Sequence, residues 1–174
     1  MTEATAVKAR ILWLDFNSVK ECPIDYSVEK YLRIKIEYGG YDIRAYGSLD
    51  KMPTAIKEQI EEFDLIIAEP LNTMITEESK VFYESLRDQF IELPPLSKDI
   101  FLRGLGTIHA LKCLAPSVPL MIYTNITENT KVGRQALEEL REIEDIAQII
   151  EKPLFYKEFL MEIEKAIGGK TQKK

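Results

Sequence analysis

Four short apolar runs in this chain each hand over to a residue able to do chemistry. Residues 11–14 lead into Asp15, residues 65–68 into Glu69, residues 120–123 into Thr124, and residues 147–150, through Glu151, into Lys152 and Pro153. In chain order these are an acid, an acid, a hydroxyl and an ammonium. Two carboxylates can help to hold a hard divalent cation through oxygen, and a neighbouring ammonium would keep such carboxylates ionised. Taken singly, each residue has an ordinary structural use. The acids can cap loops, the threonine can satisfy a local backbone donor, and the lysine can be a solvated charge before a proline. Polar endings in succession at strand ends point instead to one crevice, because the carboxyl ends of the strands in an open parallel sheet meet there.

The elements that would position these residues follow from the spacing of apolar side chains. The apolar runs are short and rich in branched residues, with helical-period segments between them, the pattern of repeated strand-helix units around a parallel sheet. Strands are expected at 10–15, 41–46, 65–69, 120–124 and 147–150, the second alternating enough to be an edge. Helices are expected at 27–37, with Val28, Leu32 and Ile36 as the buried stripe, and at 53–62. Gly39 and Gly40 stop the first. Thr76 is placed to cap a helix reaching about Phe90, with Phe82, Leu86 and Phe90 on its inner face. Ser97 is placed to cap another, with Phe101, Leu105, Ile108 and Leu111 inward, where Gly104 and Gly106 weaken the helix or permit close packing. Helices at 131–143 and 156–167 complete the plan. Right-handed crossovers with helices on both faces favour an α/β fold, a doubly wound five-stranded parallel sheet of flavodoxin-like order 2-1-3-4-5. A single domain over residues 8–168 is expected, with a helical insert after the third strand at about 71–98 and flexible termini at 1–7 and 169–174.

Composition excludes several classes. The 174 residues carry 29 acids and 23 lysines and arginines, a net charge of -6, which works against nonspecific attraction to nucleic acid or anionic membrane. The start lacks the apolar stretch of a signal peptide and no run approaches a membrane span, so a soluble, cytoplasmic chain is expected. Cys22 and Cys113 sit in no metal spacing and read as ordinary thiols. His109, the one histidine, has no second histidine to make a metal pair or dyad and reads as a helix-surface residue.

The segments R-I-L-W-L-D-F-N, F-D-L-I-I-A-E-P, V-P-L-M-I-Y-T-N and I-I-E-K-P-L-F-Y-K-E-F-L together resemble the receiver domain of response regulators in two-component signalling, over about residues 8–168. The Lys-Pro pair after the fifth strand is the most specific match. The resemblance implies a phosphoryl-accepting aspartate at the end of the third strand, magnesium held by acids after the first, and a hydroxyl and a lysine that contact the phosphoryl oxygens. By position these are Glu69, Asp15, Thr124 and Lys152. Four departures accompany the match, one of them Pro70 directly after Glu69, where the family's usual proline comes several residues later. Phe16 stands where a second acid is usual, so magnesium loses a carboxylate and Asp15 is left with a weak or absent site. Glu69 replaces the acceptor aspartate, and its extra methylene moves the carboxylate by roughly 1 Å, an error that costs in-line transfer on the order of a hundredfold. Ile149 replaces the aromatic that receivers often switch on activation.

The resemblance therefore implies a degenerate receiver: not an enzyme, and acting by protein-protein interaction without normal aspartyl phosphorylation. Its expected contact surface is formed by the fourth helix, fifth strand and fifth helix of the receiver plan, near the aromatics Tyr123, Phe155, Tyr156 and Phe159, with Phe159 read as core. No further domain follows Ile167, so an effect is expected to pass through a signalling partner, a histidine kinase or a homodimer. Two alternatives stay open: a phosphoaccepting regulator that uses Asp15 and weakly bound magnesium, and a small-molecule binder or hydrolase with the insert as lid. For the latter, no glycine-rich phosphate loop and no Ser-His-acid set is present.

Overall fold

In the computed structural model, residues 7–15, 19, 27–72, 77–98 and 100–168 are described, residues 72, 100 and 101 by backbone alone. Five strands form one sheet: β1 (Arg10–Leu14), β2 (Asp42–Tyr46), β3 (Leu65–Ala68), β4 (Leu120–Thr124) and β5 (Ile146–Glu151). Their order is β2-β1-β3-β4-β5 and every neighbouring pair is parallel. The three central strands are apolar on both faces because both faces are covered. Alternation of side chains across each strand divides the core in two. Leu12, Leu14, Ile66, Ala68, Leu120 and Ile122 face one layer of helices; Ile11, Trp13, Leu65, Ile67, Met121 and Tyr123 face the other. As expected from its alternation, β2 is an edge strand; β5, half-buried, is the other edge.

The helices are α1 (Val28–Tyr38), α2 (Thr54–Glu58), α3 (Glu77–Arg87), α4 (Ile100–Leu114), α5 (Lys131–Glu142) and α6 (Tyr156–Gly168). The hydroxyl of Ser27 accepts from the Lys30 amide at 3.1 Å to cap α1, and the chain leaves the helix through Gly40, whose φ of +93° favours glycine. The buried face of α1 differs from the expected stripe. Glu29, Leu32, Arg33 and Ile36 are inside, whereas Val28 is exposed. The expectation failed because it assigned the interior to apolar residues alone; Glu29 is buried with a cationic partner described below.

The expected helix 53–62 divides into α2 and a 3-10 turn at Ile60–Glu62. In α3 the buried residues are Ser79, Tyr83 and Leu86, a face rotated from the expected one so that Phe82 and Phe90 lie at its margin. Polar bonds fix that rotation: the Ser79 hydroxyl reaches Asp50 Oδ1 at 2.7 Å and the Tyr83 phenol donates to the Pro94 carbonyl at 2.8 Å. Lys57 Nζ stands 4.1 Å from the Phe82 ring centre. The expected cap Thr76 lies outside the described residues.

In α4, Leu105, Ile108 and Leu111 face the core as expected, and the side chain of Phe101 is not among those described. Glycine at 104 serves close packing: a Cβ there would lie 1.7 Å from the Pro70 carbonyl oxygen. His109 is half-buried rather than on the open surface, and burial pushes its imidazole below the ordinary range against the opposing charge of Glu139. Cys113 is a free thiol partly buried against the core; Cys22 lies outside the described residues. No described helix is long and apolar enough to cross a membrane.

Candidate functional site

Parallel pairing places the ends of β1, β3 and β4 side by side. Leu14 is paired with Ala68 and Ala68 with Ile122, so the residues that follow, Asp15 and Glu69, emerge together. Thr124 is paired with Glu151, and the Lys152 amide donates to the Thr124 carbonyl at 2.8 Å. The sheet therefore collects the acid, acid, hydroxyl and ammonium singled out in the sequence into one crevice. Asp15, Glu69 and Thr124 have no solvent exposure.

Lys152 is the hub. Its Nζ lies 2.5 Å from Asp15 Oδ2, 2.9 Å from Glu29 Oε1 and 3.3 Å from Glu69 Oε2, and 5.0 Å from the centre of the Tyr123 ring, a cation-π contact. Burial works against the ammonium, but the Asp15, Glu69 and Glu29 carboxylates outweigh it and hold its pKa above the ordinary lysine value.

Both oxygens of Glu69 are engaged. Oε1 accepts from the Thr124 hydroxyl at 2.7 Å and from the Leu71 amide at 3.1 Å. Oε2 accepts from the Asn125 amide at 2.9 Å and faces Lys152. The Thr124 oxygen in turn accepts from the Ile126 amide at 3.1 Å. A hydroxyl, two backbone amides and an ammonium are an anion-binding set, and here the protein's own carboxylate fills it.

Sequence reasoning missed Glu29. It sits in the first turn of α1, where an acid also suits the helix dipole, and it supplies a third carboxylate from outside the strand ends. Its signal was its place on the 29, 32, 33, 36 face, the one that packs inward. The roles of the Leu71 and Asn125 amides carry no side-chain signal at all. Tyr123, which suited an interface and a core equally, is core: it is fully buried against Trp13 and Phe159, and its phenol oxygen accepts from the Leu154 amide at 3.1 Å. Phe159 is core, as expected. Ile149 is half-buried on β5, paired with Ile122.

Magnesium, implied for Asp15 by the resemblance, would have to compete with Lys152 for this donor set. The carboxylates that would coordinate it already surround the Lys152 ammonium, and a compact lysine charge there repels a divalent ion. Among the described residues no group of three or more His, Cys, Asp or Glu is arranged to hold a metal ion.

No protein-family model and no curated protein matches the sequence. Solved structures do match. A response regulator receiver domain protein from Clostridium thermocellum is similar at 16% identity and TM-score 0.57, over 94% of this chain and 97% of the other. A CheY-like receiver domain protein from Methanospirillum hungatei has 15% identity and TM-score 0.57, over 95% and 98%. A structure described as adenylate cyclase from Rhodopirellula baltica has 15% identity and TM-score 0.55, over 93% and 89%. The chain thus has the five-stranded, flavodoxin-like fold of CheY-like receiver domains.

Proposed function

We propose that the chain is a receiver-like signalling module of the two-component class that acts through contact with another protein, without normal aspartyl phosphorylation. The fold shared with receiver domains supports the class. The occupancy of the crevice supports the departure from phosphotransfer: Glu69 already takes the donors that would receive the oxygens of a phosphoryl group, namely the Thr124 hydroxyl, the Leu71 and Asn125 amides and the Lys152 ammonium. That single arrangement carries the reading. A glutamate so held places one negative charge among these donors, where a phosphoryl group would bring about two, and it does so permanently. The module is then fixed in one signalling state rather than switched by a kinase.

The reading that Asp15 accepts a phosphoryl group instead is disfavoured by its geometry. Its Oδ2 is engaged by Lys152 at 2.5 Å and the residue is wholly buried, so attack on a donor would first have to break that pair. For the partner, the surface of α5, β5 and α6 is the expected contact. Incubation with acetyl phosphate and magnesium followed by intact-mass measurement tests the proposal. No added phosphoryl mass is expected on the wild type; a stoichiometric adduct on any carboxylate would overturn it.

A further inference from the structure

Of the nine large apolar side chains exposed among the described residues, five gather on one face: Val28, Tyr31, Ile34 and Tyr38 of α1, and Phe155 just ahead of α6. Single exposed apolar residues need no explanation, whereas a contiguous face of them does. Toward the N-terminal half of α1 this face is concave. Val28, Tyr31 and Ile34 form one wall of a groove of about 590 Å³, and Pro153, Leu154 and Phe155 form the other. Toward the C-terminal end it projects, with Tyr38 87% exposed. The groove is preformed, because Glu29 at the base of one wall pairs with Lys152, the residue that precedes the other.

We infer that this groove is occupied by α1 of a second copy of the chain, packed antiparallel about a two-fold axis. Tyr31, Ile34 and Tyr38 follow one another at spacings of four or three, the seam of a paired helix. With the axis passing near Ile34, that residue meets its own counterpart. Tyr38 of each protomer, about 10 Å along the helix from Tyr31, then lies over the groove end of the other. A two-fold contact requires such self-complementarity, one patch supplying both the concave and the projecting half.

Charge agrees with shape. Lys30 and Glu37 stand one heptad apart on the same flank of the seam, and antiparallel pairing sets Lys30 of each copy opposite Glu37 of the other. Within one chain Glu37 faces the inward Arg33 at 3.9 Å, and its side chain stays 42% exposed at the helix surface. Two symmetric ion pairs result, and they set the register that the apolar seam alone leaves loose. This inference goes beyond the signalling reading and stands without it.

Sedimentation velocity of the full chain over a wide concentration range is the test, with circular dichroism to verify that each variant is folded. A reversible monomer-dimer equilibrium is expected. Ile34→Glu should abolish the dimer, and Lys30→Glu or Glu37→Lys should each weaken it about tenfold, while the double exchange restores it to within about threefold of wild type. Ile34 and Lys30 are not buried; Glu37 also pairs with the inward Arg33, so Glu37→Gln, which removes the charge without adding a cation, is the second measure at that position and should weaken the dimer likewise. A monomer at every concentration, a dimer indifferent to Ile34→Glu, or a double exchange no better than the single changes would overturn the inference.

Discussion

Lys152 Nζ and Glu29 Oε1 lie 2.9 Å apart, a pair that joins the segment after β5 to the first turn of α1 across a sheet whose strands contribute the other two acids. The pair explains why a charged residue occupies the inner face of α1. It also gives the crevice a balance of three carboxylates to one ammonium, with the basic group at the centre. Its consequences can be measured one residue at a time.

The ionisation of Lys152 should respond to Glu29. The folded-state pKa is raised above the ordinary 10.5 by the surrounding carboxylates, and Glu29→Gln removes one of them. In an NMR titration of the lysine ε-carbons, Lys152 should lose its proton at lower pH in the variant than in the wild type. An unchanged midpoint would mean that Glu29 does not contribute to holding the ammonium.

Stability should fall in alkali. A group whose folded pKa is raised holds its proton longer in the native state, so its contribution is complete below the unfolded pKa and is lost as pH climbs through the folded one. Lys152 obeys this above 10.5, and the Tyr83 phenol, pushed up to about 12 by burial, obeys it above 10.0. Urea midpoints should therefore decline from about pH 10 upward, less steeply in Tyr83→Phe than in the wild type.

Removing the central cation should be costly. Lys152→Met leaves Asp15, Glu29 and Glu69 facing one another without a counter-charge, and breaking a buried pair in this way costs about 3–5 kcal/mol at neutral pH. Chemical denaturation at pH 7 reads this directly; a loss under about 1 kcal/mol would contradict it.

Gly104→Ala should destabilise the protein by more than about 3 kcal/mol, in the range of forced repacking against backbone. The added Cβ would fall 1.7 Å from the Pro70 carbonyl, and neither α4 nor the turn after Glu69 is a flexible side-chain end that can give way. The same displacement would move the Leu71 amide that bonds Glu69. Gly168→Ala, where a Cβ meets nothing within 4 Å, is the matched control and should be close to neutral.

How much of this was legible in the sequence depends on the kind of signal. The strands were legible because the runs at 11–14, 65–68 and 120–123 are apolar on every residue, which only a doubly covered sheet requires, and the strand order followed from handedness and rhythm. The meeting of Asp15, Glu69, Thr124 and Lys152 was legible because parallel strands deliver their ends to one edge. Helix faces were read less well, since a 3.6-residue period tolerates a one-position rotation. Val28 was taken as inside when Glu29 is, and Phe82 stood in for Tyr83. In both cases a polar partner decided the rotation, Lys152 for Glu29 and the Pro94 carbonyl for Tyr83. The groove beside α1 was invisible because it belongs to two segments more than a hundred residues apart in the chain.

The central claim is that Glu69 fills its own anion site, and a titration with magnesium and beryllofluoride followed by backbone amide NMR tests it most directly. The amides of Asp15, Glu69, Leu71, Asn125 and Lys152 should not shift in the wild type, and a response should return in Glu69→Asp, whose shorter side chain withdraws from the donors. Saturable shifts at those amides in the wild type would contradict the account, since the crevice would then still be open to a phosphoryl-like group.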